Sequence, residues 1–142
     1  AIQGQTASHT SSVSQWAALE ALRGDQSCLG EFVRSFEERR DLVFQRLGKV
    51  PDLRCLLPSG AFYLFVSCHR LLGARRPDGV PIHTDADFAE YLLEHFGVAV
   101  VPGSSFLAEG YFRISYASSS DVLKRACDRI QAACEALVRE VA

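Results

Sequence analysis

The segment YFRISY, Tyr111 to Tyr116, constrains the fold more than any other part of the sequence, because its two sides differ. Side chains alternate across a β-strand, so Phe112, Ile114 and Tyr116 share one face and Arg113 lies on the other. A strand with one apolar face needs a layer that covers it, and its opposite face is left for water or for another protein surface. The pattern therefore predicts a sheet that helices cover on one side only.

Helical spacing of apolar residues supplies that layer in four segments, which cover residues 13–24, 25–48, 84–97 and 118–141. The predicted buried stripes are Leu29, Phe32, Val33, Phe36, Val43 and Leu47 in the second segment, Phe88, Ala89, Leu92, Leu93 and Phe96 in the third, and Leu123, Cys127, Ile130, Cys134, Leu137 and Val141 in the fourth. Thr84 and Gly97 have the residue types of an N-cap and a helix stop. With three or four short strands between the helices, the sequence predicts an α+β fold: a small, mainly antiparallel sheet with helices packed on one face.

The composition argues against several classes of function. Hydrophobic residues make up 48% of the chain and charged residues 23%, which is typical of a globular protein. The net charge is -2 and the basic residues are scattered, so we expect no nucleic-acid partner. The sequence has no apolar run long enough to cross a bilayer, so we expect no membrane partner and a cytoplasmic protein.

Cysteine usage points the same way. The five cysteines show no C-x-x-C spacing and are interpreted as reduced thiols. Cys68 and His69 are adjacent but lack further ligands at metal spacing, so no metal site is expected. The sequence also contains no methionine and opens with AIQGQTASHTSS, which is unlike the start of a translated protein. We therefore expect a piece of a longer chain.

Two interpretations of Arg113 follow from the residues alone. The first is an ordinary strand arginine on a solvated face. The second is a planar, permanently charged group that binds a substrate carboxylate through two parallel hydrogen bonds, a geometry that lysine reproduces poorly. The alternation of the strand does not separate them.

Several segments together resemble one enzyme family. The stretch VAVVPGSSF, followed by GYFRISYASS, is similar to the C-terminal end of class I PLP-dependent aminotransferases. SHTSSVSQWAALEAL, PSGAFYLFVSC and RRPDGVPIHTDADFAEYLLEHFGVAVVPGSSF extend the likeness over nearly the whole chain, and the last is close to the aspartate aminotransferase subgroup called type I-beta. The resemblance implies the small domain of the fold type I PLP-dependent transferases, with residues 1–24 leaving the large cofactor domain and residues 25–142 forming the small domain.

The resemblance also implies roles for individual residues. Arg113 would bind the substrate α-carboxylate, and Gly60, Ala61 and Phe62 would line the substrate pocket, although Ala61 and Phe62 fit an ordinary turn into a core strand equally well. Ser8 would reach the phosphate of the cofactor that the second subunit of a homodimer binds. No catalytic residue is expected in this chain.

The family transfers an amino group between an amino acid, here aspartate or a related one, and 2-oxoglutarate with pyridoxal 5'-phosphate. The lysine that carries the cofactor is not recognisable, since neither Lys49 nor Lys124 has the serine-rich, buried setting of that residue. We expect the chain to bind no cofactor and to be inactive alone, and to need its own large domain and a second subunit. The alternative is a free-standing α+β module for ligand binding or dimerisation. Such a module should have a polar open face, whereas a separated domain should expose apolar surface.

Overall fold

A computed structural model describes residues 2–138, apart from the side chain of Gln3. Contacts divide the chain into two compact units, Ala1–Arg34 and Ser35–Ala142. The predicted domain boundary after residue 24 stays a prediction, because contact density alone does not define a domain.

The first unit is helical. It contains α1 (Ile2–Thr6), α2 (Ser12–Arg23) and the beginning of α3 (Ser27–Leu47). The sequence predicted α2 and α3 but not α1, which lies in the Ser/Thr-rich leading segment. At the end of α2 the backbone N–H of Gly24 donates to the carbonyl of Glu20, so the predicted helix stop is confirmed.

The predicted buried stripe of α3 is wrong in its first half. Val43 and Leu47 are buried, but Leu29, Phe32 and Val33 are 50%, 59% and 56% exposed. Helical spacing records an apolar face of a helix whether or not the described residues cover it. The exposed half of this stripe is therefore an apolar surface.

The second unit is built on a four-stranded sheet. Its strands are β1 (Arg54–Cys55), β2 (Tyr63–Ser67), β3 (Val101–Pro102) and β4 (Tyr111–Ser115), in the order β1-β2-β4-β3. Every neighbouring pair is antiparallel, and Phe65 is the partner of Arg113 in the register of β2 and β4.

Two further helices begin where the sequence predicts, and the first of them also ends there. The second ends at Ala136 rather than near residue 141, because Leu137 has an extended backbone and Val138 pairs with Arg75. In α4 (Asp85–Phe96), Thr84 and Asp87 form a capping box, and Gly97 ends the helix at φ 61°. The N-cap of α5 (Ser120–Ala136) is Ser119, whose hydroxyl accepts a hydrogen bond from the N–H of Val122. The polar caps thus determine where both helices begin.

The core lies between the helices and one face of the sheet. It contains Val43 and Leu47 from α3, Leu64, Val66, Phe112 and Ile114 from the strands, Phe88, Tyr91 and Leu92 from α4, and Leu123, Cys127, Ile130 and Cys134 from α5. This confirms the predicted α+β fold with one covered face. Leu93 was predicted to be buried and is exposed, because it lies about 100° around α4 from Leu92. The predicted burial of Val141 lies outside the described residues.

Within the described residues, no helix is both long and apolar enough to cross a membrane.

Candidate functional site

The open face of the sheet is aromatic and carries two arginines, Arg54 of β1 and Arg113 of β4. Tyr63 and Phe65 of β2 and Tyr111 and Arg113 of β4 alternate with the core residues, and Phe112 points to the opposite side. The rings of Phe65 and Tyr111 stack with their centroids 5.5 Å apart. Such contacts between side chains of the neighbouring strands β2 and β4 stabilise the open face of the sheet.

Two aromatic rings contact the guanidinium of Arg113. Its Cζ lies 5.0 Å from the ring centroid of Tyr63 and 4.5 Å from that of Phe106. Such cation–π contacts stabilise the charge without using its N–H groups. No carboxylate among residues 2–138 forms an ion pair with Arg113. Its hydrogen-bond donors are therefore not used by a carboxylate of the described residues.

Other arginines of this unit differ in this respect. Arg40, Arg46 and Arg76 form ion pairs with Asp41, Asp128 and Asp78, respectively. The hydrogen bond to the Asp78 carboxylate raises the pKa of Arg76 above its usual value. Arg76 also contacts a ring, with its Cζ 5.8 Å from the ring centroid of Tyr91, so Arg113 is distinguished from these three by having no carboxylate partner among the described residues.

A groove of about 840 Å³ lies beside Arg113 on the open face. It is lined by residues 54–56, residues 58–61, and Tyr63, Phe65, Ser67 and Tyr111. Gly60 and Ala61 are among these lining residues, and their role in a substrate pocket stays a prediction. Neither Phe62 nor Arg113 lines the groove, but Arg113 contacts Tyr63 and pairs with Phe65, which do.

The turn that precedes β2 has a constrained backbone. Ala61 adopts φ 67°, in the left-handed region that favours glycine. The hydroxyl of Tyr116 donates to the carbonyl of Ala61 at 3.0 Å, and the N–H of Tyr116 donates to the carbonyl of Phe62 at 2.8 Å. A residue in such a conformation persists where its surroundings enforce it, and strained residues of this kind concentrate at binding sites.

The turn Gly103–Phe106 carries the second ring that contacts Arg113. Gly103 has no room for a side chain, because a Cβ there would lie 2.2 Å from the carbonyl oxygen of Ala108. The carboxylate of Asp85 accepts a hydrogen bond from the N–H of Ser104 at 2.7 Å. Tight packing and this hydrogen bond fix the position of the turn.

Sequence reasoning missed three residues of the site, namely Tyr63, Phe106 and Asp85. The strand alternation that placed Arg113 could have placed Tyr63 on the same face. In the segment TDAD, residues 84–87, Asp87 completes the capping box, which leaves the other aspartate without a role in the cap. For Phe106 the sequence carries no signal, because its contact with Arg113 depends on the path of a loop.

The remaining predicted residues are exposed. Ser8 lies between α1 and α2 at φ 60°, so its role at a cofactor phosphate stays a prediction. Lys49 is exposed, and exposed Lys124 lies 3.4 Å from the carboxylate of Asp121. A search of residues 2–138 finds no group of three or more His, Cys, Asp or Glu that could hold a metal ion.

Exposed apolar side chains surround the open face. Leu107, at the end of the turn that carries Phe106, is 99% exposed, and Leu56 and Phe62 on the groove side are also exposed. A free-standing module was expected to have a polar open face, whereas this one is aromatic with an apolar rim. The surface favours a domain that another protein surface covers.

Comparison with known proteins gives a family match over most of the chain. Residues 1–130 match the family model described as aminotransferase class I and II. The chain is 48% identical over 136 residues to the probable aspartate/prephenate aminotransferase of Rickettsia bellii. The aligned region covers 96% of this chain and 34% of that protein. It is 50% identical over 136 residues to the aspartate aminotransferase of Rhizobium meliloti, which covers 96% of this chain and 33% of that protein.

Solved structures give the same result. The crystal structure of the aspartate aminotransferase from Rhizobium meliloti matches with a TM-score of 0.90 and 50% identity, over 96% of this chain and 34% of that one. The aspartate aminotransferase from Thermotoga maritima matches with a TM-score of 0.75 and 40% identity, over 92% of this chain and 30% of that one. The chain spans about a third of the length of the curated relatives it matches.

Proposed function

The chain belongs to the class I and II aminotransferases, and from this premise we propose that it is the C-terminal small domain of an aminotransferase subunit. In this proposal residues 1–24 lead out of the large cofactor domain and residues 25–142 form the small domain. The role of the small domain is to bind and orient the amino-acid substrate. Its catalytic partner residues belong to the rest of the subunit.

One observation carries the proposal: the guanidinium of Arg113 is fixed by two rings and has no carboxylate partner among the described residues. A substrate α-carboxylate satisfies such a group with two parallel, charge-assisted hydrogen bonds. Gly60 and Ala61 form the adjacent wall of the groove. The ring of Phe62 contacts the ring of Tyr63, with their centroids 5.5 Å apart, and in this proposal Phe62 completes the substrate pocket. Binding at this place orients the amino acid, and orientation is a large part of catalysis for a bound substrate.

Aminotransferases use amino-acid and keto-acid substrates. We assign aspartate or a related amino acid as the donor and 2-oxoglutarate as the acceptor. The relatives named above as aspartate and aspartate/prephenate aminotransferases support the donor.

The family is generally dependent on pyridoxal 5'-phosphate, which supplies an electrophilic carbonyl and an electron sink when it is bound. The described residues do not fit its covalent attachment. Lys49 and Lys124 are exposed, whereas a lysine that forms a Schiff base is activated by desolvation or by neighbouring charge. The cofactor therefore belongs to the part of the subunit outside this chain, and the chain alone is inactive.

The proposal includes a homodimer in which Ser8 contacts the cofactor phosphate of the second subunit. It also includes a cytoplasmic location. None of the five cysteines, all of which lie in the described part of the chain, forms a disulfide, which fits a reducing compartment.

The test is Arg113→Lys in the complete subunit that carries this chain. We expect kcat/KM for aspartate to fall on the order of 100-fold, because lysine keeps the charge but not the two-pronged hydrogen bond. Steady-state kinetics with aspartate and 2-oxoglutarate measure the loss. The matched control is Arg39→Lys, since the Cζ of Arg39 also lies over a ring, 5.5 Å from the centroid of Phe36, and Arg39 does not line the groove.

An unchanged kcat/KM in Arg113→Lys contradicts the assignment of Arg113 to the carboxylate. The isolated chain, supplied with pyridoxal 5'-phosphate and both substrates, should show no transamination. Turnover by the isolated chain would contradict the placement of the cofactor lysine elsewhere.

A further inference from the structure

Asp85 is the one charged residue that is buried among residues 2–138, with 2% of its surface exposed. It is the first residue of α4. Burial of an ionised carboxylate is unfavourable by several kcal/mol unless hydrogen bonds replace the lost water. A buried aspartate therefore needs a structural reason.

The partners of Asp85 lie at both ends of one loop. The N–H of Ser104 donates to its Oδ2 at 2.7 Å, and the hydroxyl of Ser104 and the backbone of Gly110 also interact with the carboxylate. Burial alone would raise the pKa of Asp85, but these hydrogen bonds outweigh it and the pKa lies below its usual value. The carboxylate is thus ionised at neutral pH and binds residues 104 and 110 at once.

This loop connects β3 to the strand that carries Arg113. At its far end the carbonyl of Gly110 accepts from the N–H of Cys68 at 2.8 Å and from its Sγ at 3.3 Å. Near its start the ring of Phe106 lies 4.5 Å from the Arg113 Cζ and 6.2 Å from the centroid of Phe65. Phe106 itself is exposed, so the core does not fix its position.

We propose that Asp85 is a positioning residue for substrate binding: by holding Ser104 and Gly110, it places the ring of Phe106 against Arg113 and so orients the guanidinium toward the substrate carboxylate. This inference rests on the proposed function of Arg113. Asp85 does not touch the guanidinium, and it acts through the loop.

The capping box of α4 does not include Asp85, although its carboxylate also interacts with its own backbone N–H in the first turn of the helix. Asp87 already accepts hydrogen bonds from the N–H groups of Thr84 and His83, at 2.8 and 2.9 Å, and it completes the capping box. The two aspartates thus divide the tasks at this helix end. Asp87 stabilises the helix, and Asp85 stabilises the loop.

The experiment measures the Kd of succinate, a dicarboxylate probe, by titration calorimetry with the complete, cofactor-loaded subunit. We expect Asp85→Asn to weaken binding about tenfold, because the neutral amide is a poorer acceptor for two donors. The matched control is Asp87→Asn, which removes a carboxylate from the same turn of α4. We expect it to lower the unfolding midpoint and to leave the Kd within about twofold.

A second variant tests the route through the loop. Phe106→Leu changes an exposed ring and should weaken succinate binding about threefold to tenfold. If the loop acts through this ring, adding Asp85→Asn to Phe106→Leu should weaken binding less than the product of the two single effects. Fully multiplicative effects would overturn the proposal. So would an unchanged Kd in Phe106→Leu, which carries the test if Asp85→Asn does not fold.

Arg113→Lys separates this inference from the proposed function. If Arg113→Lys weakens succinate binding and Asp85→Asn weakens it no more than Asp87→Asn does, the positioning role is overturned and the role of Arg113 stands. If Arg113→Lys leaves the Kd unchanged, the proposed function fails, and the inference fails with it.

Discussion

The two faces of the β2–β4 pair are built from alternate residues of the same strands, yet they differ in almost every physical respect. On one face Leu64, Val66 and Phe112 are fully buried beneath helices. On the other face Phe65 and Arg113 are half-buried and contact rings at their sides. Both faces are rich in aromatic and apolar residues, so composition does not distinguish them.

The difference is in what each face contributes. Burial of apolar surface on the covered face stabilises the fold. The aromatic surface of the open face stays partly in water and therefore contributes less to stability. Its rings hold the guanidinium of Arg113 in place. Alternation along a strand can therefore place stabilising side chains on one face and a candidate binding site on the other.

Among the variants that test this difference between the two faces, Phe112→Ala should change the free energy of unfolding most. Removal of the fully buried ring should lower the free energy of unfolding by about 3–5 kcal/mol, through lost burial and the cavity that remains. Urea unfolding of the 142-residue chain measures it. The control is Tyr111→Ala, the adjacent aromatic residue on the open face, for which we expect a loss of about 1 kcal/mol. Equal losses would show that the two faces contribute alike.

A second test uses pH. Burial raises the pKa of the Cys68 thiol to about 12, and the charge of Asp85 adds to the effect, whereas the ordinary value is 9.0. The folded state thus binds the proton of the Cys68 thiol more tightly than the unfolded state does. The contribution of this proton to the free energy of unfolding is fully present below about pH 9 and is lost as the pH rises toward 12. We expect a loss of roughly 2 kcal/mol in unfolding free energy between about pH 8 and about pH 10.5.

Cys68→Ser is the control for this prediction, because a serine hydroxyl does not ionise and can still donate to Gly110. Burial also raises the pKa of Cys127, to about 11, but that thiol titrates in both proteins and cancels from the difference. Urea unfolding across the pH range should give a shallower slope for Cys68→Ser. If the free energy of unfolding falls equally steeply with pH in both proteins, the pKa of the Cys68 thiol is not raised in the folded state.

The smallest effect should come from Ser67→Ala on the open face. Ser67 lines the groove and makes no core contact, so we expect a change of less than about 0.5 kcal/mol in unfolding free energy. Its neighbour Val66 is fully buried, and Val66→Ala should cost about 2 kcal/mol in the same urea experiment. A cost for Ser67→Ala that matches Val66→Ala would contradict the division of the two faces.

The sequence predicted those parts of the fold that depend on local chemistry. The ends of α4 follow from Thr84 and Gly97, and the alternation of β4 follows from the pleat of a strand. The predicted burial of the α3 stripe is wrong at Leu29, Phe32 and Val33. Periodicity shows that a helix has an apolar face but not which surface covers that face.

The site was predictable to the same degree. The family resemblance named Gly60 and Ala61 as pocket-lining residues, and both line the groove. Strand alternation placed Arg113 on the open face, and its contact with a substrate carboxylate, which only the resemblance implies, stays a prediction. Phe106 and Asp85 were missed, because both meet the site through residues distant in sequence. Such contacts depend on tertiary structure, which a local pattern does not encode.

The edges of the sheet have a consequence for self-association. Its outer strands, β1 and β3, have two residues each, and β3 ends in Pro102, which has no N–H to donate. Short edges and an edge proline prevent a strand of another molecule from extending the sheet, the usual route to aggregation of sheet proteins. Two copies of this chain that associate through their exposed aromatic surfaces would therefore pack the open face of one sheet against that of the other. Side chains would form the contact, and no backbone hydrogen bonds would join the two sheets.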